Sequence, residues 1–207
     1  MDLKSTKGYE VITGLMIQNN QQPFLFQEHA WQHINNLESG LVNAPTGCGK
    51  TFSVFLGAVI QFINEHPKDY ISKGKNGLQL LWITPLRALA KDIGRAMEEV
   101  IDALGMLWSI GIRNGDTDTT ERARQKRQMP EVLIITPESL HLLLAMKENS
   151  DYFKTLRLVA VDEWHELLGS KRGVQVELAV SYLVNIRKRF AQKPPSIWGI
   201  SAVSVPY

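Results

Sequence analysis

An α/β fold, with a mostly parallel sheet flanked by helices, is what this sequence predicts, and three observations predict it. Short apolar runs of strand length alternate with longer stretches that carry apolar residues at helical spacing. A glycine-rich turn stands between the first such strand and the helix after it. A pair of acids, Asp162 and Glu163, closes the continuous apolar run Leu158-Val159-Ala160-Val161, the pattern of a central strand buried on both faces.

In chain order, a helix is predicted after the Pro23 region, from about Gln27 to Leu37, and a short buried strand at Leu41–Ala44. Helix Thr51–Ile63 and strand Leu78–Thr84 follow, and Lys73-Gly74-Lys75-Asn76-Gly77 between them is the clearest exposed loop. Next come helix Arg87–Leu104, strand Leu107–Ile112, helix Thr119–Gln128, strand Val132–Thr136 and helix Pro137–Met146. Strand Leu158–Val161, helix Val174–Phe190 and strand Ser196–Ala202 complete the alternation. With the glycine loop, it predicts one RecA-like phosphate-loop nucleotidase domain over 1–207.

The glycine turn reads Ala44-Pro45-Thr46-Gly47-Cys48-Gly49-Lys50-Thr51, with Ala44 where the strict phosphate-loop pattern begins with Gly. Gly47 and Gly49 turn tightly and bring backbone N–H groups toward phosphate oxygens, and the helix that follows adds its positive end. Lys50 supplies a full positive charge, Thr51 a hydroxyl for Mg²⁺, and Thr46 and Cys48 fill out the cradle. Downstream, Asp162 is placed to hold Mg²⁺ and Glu163 to orient the attacking water, at the carboxyl end of a strand, where α/β sheets bind ligands.

The two motifs in this order resemble the superfamily 2 helicases, and the stretches between them fit the same family. Thr84-Pro85-Leu86-Arg87-Ala88-Leu89-Ala90 resembles motif Ia, Gly115-Asp116-Thr117 the glycine-aspartate element of the large-helicase-related proteins, Thr136-Pro137-Glu138-Ser139-Leu140 motif Ib, and Ser201-Ala202 the start of motif III. Val161 to Gly173 resembles the bacterial ligase-associated DExH-box branch, as does Pro23-Phe24-Leu25-Phe26-Gln27-Glu28. The resemblance implies an ATP-dependent DNA helicase, the first of two RecA-like domains, with single-stranded or tailed DNA as partner and RNA as the alternative. It also implies a DNA-repair setting, 3′-to-5′ polarity and a DNA ligase partner. Gln27 falls at the adenine-reading glutamine, and His165 at the histidine that couples nucleotide to nucleic acid. The nucleic-acid track falls on Pro85, Arg87, Gly115, Asp116, Thr136, Pro137 and Ser139, with Asp116 fixing its loop rather than touching phosphate. Arginines of motif VI in the second domain complete the ATP site in that family, so this domain alone is expected to be weak or inactive. After Ala202 the family usually has Thr where Val203 stands, and Val203–Tyr207 departs from the pattern, as a truncated or altered reading frame would.

Composition sets independent bounds. With 207 residues, 44% hydrophobic and 21% charged, the chain suits one core, and its net charge of +2 is too small to announce nucleic acid alone. Arg122, Arg124, Lys126 and Arg127 form one basic group, Lys171-Arg172 and Arg187-Lys188-Arg189 two more, and solvated helix faces are the preferred reading of each. One cysteine, Cys48, excludes an internal disulfide. No signal peptide or membrane-length apolar run is present, so a cytoplasmic protein is expected. His29 and His33 lie four apart, but Ala30 stands where a zinc protease has its glutamate, so a solvated or partly packed pair is preferred. Core roles are preferred for Phe24, Phe26 and Trp164. Rival readings are a non-catalytic nucleotide or nucleic-acid binding module, a GTPase and a kinase. The GTPase is opposed by the lack of an Asn/Thr-Lys-x-Asp motif, and the kinase by the acid pair suited to activating water.

Overall fold

The computed structural model describes residues 2–45, 47–146, 149–190 and 192–202. Among them six strands, β1 (Gly40–Asn43), β2 (Leu80–Ile83), β3 (Ile110–Arg113), β4 (Val132–Ile135), β5 (Leu158–Val161) and β6 (Ser196–Ser201), form one sheet. Its order is β1-β6-β5-β2-β4-β3, and every neighbouring pair is parallel. The helices are α1 (Lys7–Gln18), α2 (Leu25–Asn35), α3 (Lys50–Glu65), α4 (Arg87–Ala103), α5 (Thr119–Arg127), α6 (Pro137–Leu144), α7 (Asn149–Phe153), α8 (Trp164–Leu167) and α9 (Lys171–Arg189).

Strand side chains alternate between two cores, because successive residues of a strand point to opposite faces. Leu80, Trp82, Val132, Ile134, Leu158 and Ala160 face one core, which α1, α2, α3 and α4 close with Ile12, Trp31, Ile34, Phe55 and Met97. Leu81, Ile83, Leu133, Ile135, Val159 and Val161 face the other, closed by α6, α7, α8 and α9 with Leu140, Phe153, Leu167 and Leu183. β2, β4 and β5 are buried at every position, which is why they read as unbroken apolar runs.

The alternation expected from sequence is present, with shifted ends. The predicted strand at Leu107–Ile112 begins only at Ile110, whose partner in β4 is Val132. The Ser109 carbonyl before it accepts from the Val132 N–H at 3.1 Å, but the Ser109 N–H and hydroxyl are held by the Glu131 carboxylate, at 2.8 and 2.7 Å. α9 begins at Lys171 rather than Val174, because the Ser170 hydroxyl caps it by accepting from Gly173 N–H at 3.0 Å. Three helices fall where none was predicted: α1, α7 and α8.

α1 crosses α3 where only a glycine fits. A Cβ on Gly8 would stand 2.4 Å from the Ile60 carbonyl oxygen, and Gly8 N–H donates to Asn64 Oδ1 at 2.7 Å. Gly8→Ala is therefore expected to push the helices apart, cost about 1–3 kcal/mol, and lower the melting temperature by about 2–4 °C for each of those kcal/mol. Thermal unfolding followed by circular dichroism checks this, and an unchanged midpoint would refute the close crossing.

Candidate nucleotide and nucleic-acid site

Every predicted site residue in the sheet connections lies at the carboxyl edge of the sheet. β1 leads into the glycine loop, β2 into Pro85 and Arg87, β3 into Gly115 and Asp116, β4 into Thr136, and β5 into Asp162 and Glu163. With all strands parallel, one edge collects all of these loops.

In the glycine loop, Gly47 (φ 80°) and Gly49 (φ 75°) take the left-handed conformation that costs glycine nothing. Gly49 caps α3, and Lys50 and Thr51 begin its first turn. The Lys50 ammonium donates to the Pro45 carbonyl at 2.8 Å, folded over its own loop. Cys48 is half-buried, and Thr46 lies outside the described residues.

Gln27 is buried and ties this loop to α2. Its Nε2 donates to the Gly49 carbonyl at 3.0 Å, and its Oε1 accepts from Phe24 N–H at 2.9 Å. Each end of the amide keeps further capacity, a second hydrogen on Nε2 and a second lone pair on Oε1. Beside it opens a cavity of about 460 Å³, lined by Met16, Phe24, Gln27, Gly49, Phe52 and Val100 among others. Phe24 is 55% exposed, so a core role fails for it, whereas Phe26 packs against the core. The two rings stack at 5.7 Å. Sequence reasoning missed the α1 wall of this cavity.

Asp162 is buried, and its Oδ1 accepts from Glu163 N–H at 3.0 Å. Burial, then the Glu163 charge, push its carboxyl from the usual 3.8 up to about 6. The Lys50 charge opposes this, and the Trp82 indole N–H, which closes no hydrogen bond of its own, lies near enough to do the same. Glu163 takes a left-handed backbone (φ 49°, ψ 46°), a conformation costing about 1–3 kcal/mol for a non-glycine residue. His165 joins the acids to the end of β6: its Nδ1 lies 3.2 Å from Ser201 Oγ and 3.5 Å from Glu163 Oε2. Trp164 packs partly buried against the second core, as an anchor would.

The Ia, glycine-aspartate and Ib loops follow the adjacent strands β2, β3 and β4. Arg87 Nη1 lies 3.8 Å from Asp116 Oδ1, and its guanidinium rests on Gly115, where a Cβ would stand 2.9 Å from Nη1. The Asp116 N–H donates to Asn114 Oδ1 at 2.9 Å, and Arg122 holds the Asn114 carbonyl at 3.0 Å. Sequence reasoning missed both braces, although Asn114-Gly115-Asp116 carries a turn signature. Thr136 and Ser139 are buried, and their hydroxyls bond each other at 3.1 Å as the cap of α6, with Pro137 at its first position. Neither hydroxyl projects freely from this loop.

Residues 24–203 match the DEAD/DEAH box helicase family model. The chain belongs to the DEAD/DEAH box helicase family. Among the proteins this helicase-family chain is similar to, the Lhr helicase/uracil glycosylase of Escherichia coli (strain K12) is 32% identical over 184 residues, 84% of this chain and 12% of that protein. ATP-dependent helicase Lhr-Core protein 2 of Thermococcus barophilus (strain DSM 11836 / MP) is 33% identical over 181 residues, 80% of this chain and 20% of that one. The structure of Mycobacterium smegmatis helicase Lhr bound to ssDNA and AMP-PNP matches all of this chain and 26% of its own, with a TM-score of 0.80 and 30% identity. The DEAD-box helicase Mss116, at 19% identity and a TM-score of 0.76, shares the fold. That fold is the RecA-like helicase domain, and the chain spans only 12% to 20% of the curated relatives named here.

In the helicase-family chain the solvated reading holds for the exposed Arg124, Lys126, Arg127, Lys171, Arg172 and Lys188, and needs correction for Arg187. Arg124 pairs with Glu121 at 2.7 Å, Arg172 joins α9 to Glu138 of α6 at 2.7 Å, and Arg187 is buried. His33 Nδ1 pairs with Glu38 Oε2 at 2.5 Å, and no group of three or more metal-ligating side chains occurs among the described residues. No helix among them is long and apolar enough to cross a membrane.

Proposed function

We propose that this chain is the first RecA-like half of an ATP-dependent DNA helicase, binding and hydrolysing ATP at the glycine loop while its neighbouring loops hold single-stranded DNA. The observation that carries this is the convergence, at one sheet edge, of Lys50, Asp162, Glu163 and a His165–Ser201 contact that reaches the last strand. The neighbour bound to ssDNA and AMP-PNP, similar along the whole of this chain, supports the same ligands here. Adenine would enter the cavity beside Gln27, with Phe24 as its stacking face.

The donor set fits Mg²⁺. Thr51 and Asp162 offer hard oxygens, and Asp162 is buried beside a like charge, a strain that a cation would relieve. Bound with ATP, Mg²⁺ supplies neutralisation of phosphate charge. Lys50 then binds phosphate, Glu163 orients water, and His165 relays the state of the acids to Ser201. A second RecA-like domain supplies the arginines that complete the site. A DNA-repair role beside a ligase, in the cytoplasm, completes the reading, on the strength of the likeness at Val161–Gly173.

The test is ATP binding and hydrolysis by this chain, with and without single-stranded DNA or RNA. Expected are magnesium-dependent binding and very slow turnover by residues 1–207, because the arginine that the proposed second domain would supply is worth about 10³–10⁵ in rate. Rapid DNA-stimulated turnover would sink the half-motor view. Absence of ATP binding would sink the nucleotide reading.

A further inference from the structure

At the amino edge of the sheet, opposite the nucleotide loops, lies a second cavity of about 530 Å³. That volume falls in the ~300–1,000 Å³ range of ligand sites. It is walled by the end of α3, the loop before β2, the turns before β5 and β6, and the last turns of α9. Its lining is strongly basic: Lys73, Lys75, Lys154, Arg157, Arg187 and Lys193 stand against one acid, Glu65. Arg157 is matched by Glu65 at 3.0 Å, and Lys73 by Asp69 at 3.7 Å. Lys75, Lys154 and Lys193 have no carboxylate partner among the described residues and are exposed.

Arg187 is the informative member, because it is only 3% exposed. Its guanidinium donates to the carbonyls of Lys193, at 3.1 Å, and Lys154, and to Gln192 Oε1. These neutral oxygens fix the fork in place without cancelling its charge. Burial and the nearby Arg157 both disfavour that charge, so two guanidiniums share one carboxylate. A fixed, desolvated guanidinium backed by exposed lysines is the arrangement that takes phosphate.

We propose that this cavity is a second phosphate-binding site, engaging the backbone of nucleic acid that extends beyond the motor track. The proposal deepens the helicase reading and rests on it for the source of the phosphate. The test compares this chain with Lys75→Glu/Lys193→Glu, and with Lys126→Glu/Arg127→Glu on α5 as a control of equal charge change. The probes are a single-stranded oligodeoxynucleotide across a salt series, and inorganic tripolyphosphate in a Lys50→Ala background that disables the glycine loop. The first variant is expected to bind the oligonucleotide about tenfold more weakly at low salt. Its salt dependence should flatten by about 0.7 for each phosphate that the variant no longer neutralises, with ATP binding unchanged. Loss of tripolyphosphate alone would keep the phosphate site and assign it to a free phosphate compound. Wild-type binding of both probes, or an equal loss in the α5 control, would overturn the site. Failure of the wild-type chain to bind ATP would instead count against the helicase reading.

Discussion

Glu163→Gln is expected to leave ATP binding intact and to slow ATP cleavage by about 10²–10⁴-fold, the usual loss when a positioned general base is removed. The substitution keeps shape and removes charge, so the left-handed backbone at this position costs the same before and after. The His165 imidazole keeps its contact with Ser201 at 3.2 Å, so coupling to β6 survives. Single-turnover cleavage with protein in excess is the measurement, since it resolves very slow chemistry. Binding retained with cleavage abolished places the water-activating role on Glu163. Cleavage at the wild-type rate would move that role elsewhere.

Asp162→Asn is expected to abolish magnesium-dependent hydrolysis and yet to stabilise the ligand-free domain. The Asp162 carboxyl is pushed up from 3.8 to about 6. The folded state therefore holds its proton more tightly than the unfolded chain does. Its contribution to stability is full below about pH 4 and is lost as pH rises through about 6. At pH 8 the cost to the wild type reaches about 2–3 kcal/mol, at 1.36 kcal/mol per pKa unit. Asparagine has no such proton and keeps an oxygen for the Glu163 N–H. Its melting temperature should exceed that of the wild type by several degrees at pH 8 and converge with it near pH 4, at about 2–4 °C per kcal/mol. Equal midpoints at pH 8 would refute the buried-charge account. Stability given up at a functional carboxylate is a common trade against activity.

How much was legible followed from what each residue touches. β2, β4 and β5 were readable because strands buried on both faces are apolar throughout. The places of the glycine loop and the acid pair were readable because each directly follows an apolar strand, and parallel strands bring both to one edge. α1 was not, since Gly8 and Gly14 weaken its local helix signal and packing on α3 supplies what they withhold. Arg187 was misread with its basic neighbours because its hydrogen-bond partners are two backbone carbonyls and the neutral Gln192 amide, none of which shows as a countercharge in the sequence. Asn114 and Arg122 brace the Gly115 loop across eight residues of sequence, a pairing that composition does not announce. Thr136 and Ser139 were placed at the right loop, but their mutual bond appears only when α6 forms.

The place of β6 in the sheet has a consequence for biosynthesis. Among the described residues, β1, which carries the glycine loop, has no hydrogen-bonded neighbour strand other than β6, and β6 is the last of the six to leave the ribosome. At about 5–20 residues per second, roughly 8–30 s separate the two strands' emergence. During that interval the loop is tethered to the nascent domain only through helices, and the acids of β5 have no strand between them and it. On the ATP-binding reading proposed above, a site that needs both the loop and the acids is complete only once β6 is inserted, so ATP would act on the finished sheet rather than template its early assembly.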